Sequence, residues 1–214
     1  MTGNLDYQPE YRRNLPHIQP EGATLFVTMR LAGSLPVEVI LRMEEEQRLA
    51  RQAIETTAVP FEVKQGLLYD VDKRFFGRYD RLLDAAADGP VWLSDARVAA
   101  LVCEAIHYRD IRVYDLLAYC VMPNHAHLVF TPLPKAGGQY HALAEIMMGL
   151  KGNTARKANR LLEREGPFWQ HESYDHYVRD GRELERIVAY VLNNPVKAGL
   201  ASSWEAWPWS WRRP

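Results

Sequence analysis

The chain has 214 residues, 47% hydrophobic and 25% charged, with a formal net charge of -1, which is enough chain for one globular core and excludes a disordered or low-complexity protein. No apolar run approaches the roughly 18 residues of a membrane span, and the N-terminus lacks an apolar signal core. With only Cys103 and Cys120 there is no disulfide framework either, so a cytoplasmic location is expected.

Residues 1–22 are polar and punctuated by proline, and read as an arm lying over the domain. In 23–31 Leu25, Val27, Met29 and Leu31 alternate with Thr24, Phe26, Thr28 and Arg30, which predicts a strand. A helix is expected from Pro36 to about 57. A second runs from about 62 to 87, striped by Leu67, Leu68, Val71, Phe75, Phe76, Tyr79, Leu82 and Leu83 and stopped by Gly89-Pro90. Ser94 is the expected cap of a third helix. Two apolar runs joined by Pro123-Asn124 then read as a hairpin of paired strands. Residues 140–164 carry another helical stripe, 168–178 read as a strand or extended segment, and a last helix is expected over 181–193. Asp180 and Glu183 form its capping box and Pro195 its end. The tail, 201–214, holds Trp204, Trp207, Trp209 and Trp211, expected to pack over the sheet edge in an extended segment, with base stacking as their other reading. The order of elements predicts an α+β fold, an antiparallel sheet with helices on one face. The whole chain reads as one domain, with 60–90 as a helical insertion.

The sharpest feature is His125-Ala126-His127 inside an apolar strand. Residues two apart on a strand share a face, so both imidazoles lie on the side of Val129, opposite Ala126, Leu128 and Phe130. A single buried histidine is ordinarily satisfied by a hydrogen bond. Two desolvated imidazoles side by side are better explained as ligands of one cation, and two ligands leave coordination positions open, as a catalytic metal requires. On the last helix, Leu184, Ile187, Val188, Val191 and Leu192 form the apolar stripe. At about 100° per residue, Tyr190 falls some 130° from its centre, with Asn194 about 40° from Tyr190. The sequence leaves open whether this helix meets the histidine strand, or whether Tyr190 merely covers a helix edge.

"VMPNHAHLVF" followed by "ERIVAYVLNNPVKAGL" resembles the REP-associated tyrosine transposases, relatives of the single-tyrosine HUH transposases. "RRNLPHIQPEGATLFVTMRLAGSLP", "FWQHESYDHYVRD" and the tryptophan-rich end extend the likeness over nearly the whole chain. The resemblance implies a ferredoxin-like HUH nuclease fold. It implies His125 and His127 as metal ligands with Asn194 completing the site, a divalent ion, Mg²⁺ or Mn²⁺, and Tyr190 as the nucleophile that forms a 5′-phosphotyrosine. It implies a substrate of single-stranded DNA beside a palindromic-repeat hairpin, cut and rejoined by a monomer, with a homodimer as the other arrangement. Ala126 departs from the bulky aliphatic residue usual between the histidines.

For the DNA backbone the candidate contacts are Lys151, Arg156, Lys157 and Arg160 on the 140–164 helix, and Arg12 and Arg13 in the arm; plain solvation is open for each. His176 is a candidate auxiliary ligand or proton carrier, with a structural hydrogen bond as its other reading. The rival function is a domesticated, non-catalytic protein that binds DNA hairpins and regulates. The presence of both histidines and Tyr190 argues against it. Histidine-based phosphoesterases are disfavoured because Val129 stands where a third alternating histidine would be.

Overall fold

A computed structural model describes residues 10–12, 16–18, 20–85 and 89–214. In chain order the elements are β1 (Glu10–Arg12), β2 (Pro16–Ile18), β3 (Leu25–Arg30), α1 (Val37–Glu55), α2 (Phe61–Ala85), α3 (Ala96–Arg109), β4 (Tyr114–Val121), β5 (His125–Pro132), α4 (Leu143–Leu161), β6 (Tyr174–Tyr177), α5 (Gly181–Lys197) and β7 (Ser210–Arg212). The chain falls into two compact units, Gly33–Pro90 and the remainder.

The remainder is built on a five-stranded antiparallel sheet in the order β6-β3-β5-β4-β7. In the arm, β1 and β2 pair separately as a two-stranded antiparallel ribbon. Arg13 and the side chain of Arg12 lie outside the described residues. The alternation predicted for β3 holds: Leu25, Val27 and Met29 join the main core, as do Ala126, Leu128 and Phe130 of β5. Helices α3 and α4 close this face with Val98, Val102, Ile106, Ile146 and Leu150. Strand β4 changes phase midway. A bulge between Leu116 and Ala118 brings Tyr114, Leu116, Tyr119 and Val121 all to the core side, although Leu116 and Tyr119 are an odd number of residues apart.

Helix α5 packs along β4 and β5 on the opposite face, against the expectation of helices on one side only. The sheet is apolar on both faces in its middle strands, so each face needs a cover, and alternation alone does not say which helix supplies it. Three boundaries also differ. The chain makes a 3₁₀ turn over Trp92–Ser94, and Asp95 rather than Ser94 caps α3, its carboxylate accepting from Arg97 N at 2.9 Å. Helix α5 continues through Pro195 to Lys197; so near the C-terminus a proline removes little of the hydrogen-bond ladder. Only Tyr174–Tyr177 of the 168–178 segment is a strand. At the sheet edge Trp211 stacks on Tyr119 and Trp207 Nε1 donates to the Val121 carbonyl, with β7 as the added edge strand.

In the Gly33–Pro90 unit, α1 and α2 form a helical hairpin. Asp72 accepts from Gln47 Nε2 at 2.8 Å and from Arg51 Nη1 at 2.5 Å, and Arg78 pairs with Glu46. Phe75 and Tyr79 stack along α2. Gly89 lets the two ends of this unit meet, because a Cβ there would lie 3.0 Å from the Ser34 backbone.

Phe130 is fully buried and its ring lies 4.6 Å from that of Tyr114. Phe130→Ala is expected to cost about 4 kcal/mol, read as a lowered urea midpoint with an unchanged denaturant slope.

Candidate active site

The hairpin that carries the histidines is closed by two residues. Met122 N donates to the His125 carbonyl at 2.8 Å across Pro123-Asn124, and proline suits the first turn position. The turn is anchored further: Leu31 N donates to the Asn124 carbonyl at 2.9 Å and Leu93 N to that of Pro123 at 3.1 Å. In register, His125 faces Arg30 of β3, and His127 lies between Thr28 of β3 and Cys120 of β4. Both imidazoles are buried.

Hydrogen bonds hold each ring at Nδ1. His125 Nδ1 is 2.6 Å from Asn124 Oδ1, an oxygen that can only accept, so Nδ1 carries the hydrogen and Nε2 presents a lone pair. His127 Nδ1 is 2.8 Å from the Thr28 hydroxyl. The two Nε2 atoms then stand 3.0 Å apart. Two lone pairs that close repel unless a proton or a cation lies between them. Two imidazoles at right angles on one ion, each about 2.1 Å from it, would be about 3.0 Å apart, so this donor pair fits a divalent ion.

Helix α5 brings Tyr190 to this pair. The Tyr190 and His127 rings lie 5.8 Å apart at 62°, and Phe26 packs between strand and helix, 5.6 Å from His127 and 6.2 Å edge-on to Tyr190. The Lys197 ammonium lies 4.9 Å over the Tyr190 ring. One turn beyond Tyr190, Asn194 is fully buried, and neither atom of its amide has a hydrogen-bond partner among the described residues. A buried primary amide left so is costly, and its oxygen is a suitable hard ligand.

The position of α5 depends on its start. Asp180 Oδ1 accepts from Glu183 N at 2.8 Å, and buried Glu183 accepts in return from Arg179 N at 2.9 Å. His176 of β6 lies 3.3 Å from Glu183 Oε1, a contact that joins the edge strand to the helix start. Asp180→Ala is expected to lower stability by about 1 kcal/mol, measured by thermal melting, with Asp180→Asn recovering most of it.

The other expected residues are not brought to the histidines. Lys151 Nζ donates to the carbonyls of Gln170, His171 and Glu172 at 2.9, 3.0 and 3.3 Å and so orders the approach to β6. Arg156, Lys157 and Arg160 are exposed on α4, which covers the other face of the sheet. Sequence reasoning missed Thr28, Asn124, Phe26 and Lys197. Thr28 was legible only as an outward strand residue, and its pairing with His127 comes from the sheet register.

The family described as Transposase IS200 like matches residues 95–194, a span that includes His125, His127, Tyr190 and Asn194. A Haemophilus influenzae protein provisionally described as a REP-associated tyrosine transposase is 30% identical over 106 residues, which cover 45% of this chain and 58% of that one. The REP-associated tyrosine transposase of Escherichia coli is 24% identical over 99 residues, 46% of this chain and 54% of that one. The chain thus spans a little over half the length of these curated relatives. A solved structure of a REP-associated tyrosine transposase bound to a REP hairpin superposes with a TM-score of 0.50 at 17% identity, covering 94% of this chain and 81% of that chain. The five-stranded antiparallel sheet and its helices therefore share the HUH transposase fold, the α+β fold expected. Among the described residues no helix is long and apolar enough to cross a membrane.

Proposed function

We propose that the chain is a metal-dependent endonuclease and strand transferase that acts on single-stranded DNA at hairpin-forming repeats through a 5′-phosphotyrosine. The observation that carries this reading is the Tyr190 ring packed on His127, whose Nε2 stands 3.0 Å from that of His125. The likeness to a transposase solved on a REP hairpin supports the hairpin as partner. The reading includes action as a monomer in the cytoplasm.

His125, His127 and Asn194 would hold the divalent ion, Mg²⁺ or Mn²⁺, which supplies charge stabilisation to a phosphodiester oxygen when bound. Asn124 and Thr28 keep the two imidazoles turned so that their Nε2 atoms converge. Phe26 packs edge-on against the Tyr190 ring. The Tyr190 oxygen attacks phosphorus as it loses its proton, the bond from phosphorus to the 3′-oxygen breaks, and that oxygen takes up a proton as a free 3′-hydroxyl. The tyrosyl phosphodiester conserves the bond energy, so a second 3′-hydroxyl can reverse the step and rejoin strands.

The test is to incubate the protein with manganese and a hairpin oligonucleotide labelled 3′ of the cleavage position, then denature in detergent. A labelled protein band whose modified peptide contains Tyr190 is expected. Cleavage that leaves only free 5′-phosphate ends, with no protein-bound label, would refute the covalent route.

A further inference from the structure

The exposed side of α5 carries a row of cations that the chemistry above does not use. On the helix, about 100° per residue places Arg182, Arg186 and Lys197 within about 60° of one another, with Tyr190 about 20° beyond Lys197 on the same flank. All three are exposed, whereas Tyr190 is half-buried at the margin of the row. The row runs from the first turn of α5 to its last, about 22 Å. Among the described residues neither Arg182 nor Arg186 forms an ion pair, and the Lys197 ammonium stands over the Tyr190 ring. The acidic residue on the exposed side, Glu185, lies about 60° away on the edge remote from Tyr190.

We infer that this edge of α5 is a track for one strand of DNA, holding phosphates on both sides of the one presented to Tyr190. A single file of cations matches one phosphate backbone, whereas a duplex offers two backbones separated by a groove. Arg182 and Arg186 grip the strand toward the helix start, and Lys197 grips it on the other side of the tyrosine. The track therefore selects hairpins that carry a single-stranded flank over blunt ones. This inference rests on Tyr190 being the residue that meets the scissile phosphate.

Binding is read by fluorescence anisotropy in chelator, where no cleavage occurs, using a hairpin with a single-stranded flank and the same hairpin blunt-ended. For Arg182→Ala/Arg186→Ala the salt slope on the flanked hairpin is expected to fall by about 1.4, and for Lys197→Ala by about 0.7. Affinity for the flanked hairpin at low salt falls about 10-fold or more, and the blunt hairpin binds as before. Arg182→Lys/Arg186→Lys keeps the slope, which ties the loss to charge rather than to misfolding. Arg156→Ala/Lys157→Ala/Arg160→Ala, on the far face of the sheet, leaves the flank-dependent part of the slope intact. An unchanged slope in the α5 double variant, or an equal loss on the blunt hairpin, overturns the track. The adduct assay with unaltered protein is read alongside: a normal adduct with an unchanged slope rejects the track alone. A reduced slope without any adduct rejects Tyr190 as nucleophile and leaves the track as a binding surface.

Discussion

Tyr190→Phe is expected to abolish the covalent protein–DNA adduct while leaving the fold and hairpin binding in place. The substitution removes one oxygen. The ring that packs edge-on against Phe26 and beside His127 is retained, and so is the cation above it. Phenylalanine also keeps the helical surface of α5 unchanged, so stability should shift by no more than about 1 kcal/mol. Removal of a covalent nucleophile typically costs on the order of 10⁴-fold or more, because positioning and charge stabilisation alone cannot replace the bond it forms. The measurement is adduct yield on the labelled hairpin, with anisotropy on the same oligonucleotide as the binding control. Undiminished adduct from the phenylalanine variant would remove Tyr190 from the mechanism.

The second large effect is expected at the histidine pair. Replacing His125 or His127 by alanine takes away one of two nitrogens that converge at 3.0 Å, and Mn²⁺ affinity and cleavage should fall together, each by about 100-fold or more. Thr28→Val is the subtler counterpart. It keeps the shape of the β3 side chain but removes the hydroxyl 2.8 Å from His127 Nδ1, so the imidazole loses the hydrogen bond that holds its orientation. A loss of about 10-fold in metal affinity is expected. Calorimetric titration with Mn²⁺ reads the affinity directly and is independent of catalysis. Cleavage by the alanine variants at the unaltered rate, or cleavage in excess chelator, would refute the metal assignment.

Parts of this site are legible in the amino-acid sequence. Period two alone puts His125 and His127 on one face and Ala126, Leu128 and Phe130 on the other, as the sheet has them. Asp180 and Glu183 can be recognised as the start of α5 from their spacing, and the wheel of that helix separates Tyr190 from Val188, Val191 and Leu192. The bulge in β4 was not legible, since "YDLLAYCV" offers an apolar residue at either phase and only pairing with β5 chooses. Thr28 and Asn124 were hidden for a related reason. A hydroxyl or an amide next to a turn has many local uses, and its neighbour across the sheet is set by register.

The basic residues show the division most sharply. Lys151, Arg156, Lys157 and Arg160 are one cluster in sequence, yet Lys151 is spent on the carbonyls of 170–172 and the other three point away on the covering helix of the opposite face. No motif or spacing marks Arg182 and Arg186, and they lie on the helix that carries Tyr190. What this sequence determines by itself is what covalent geometry makes local: strand alternation, helix stripes, caps, and hence which side chains share a face. Which face of the sheet a helix covers depends on burying apolar surface between segments far apart in the chain. That tertiary choice alone set Tyr190 against His127 and turned α4 away from it.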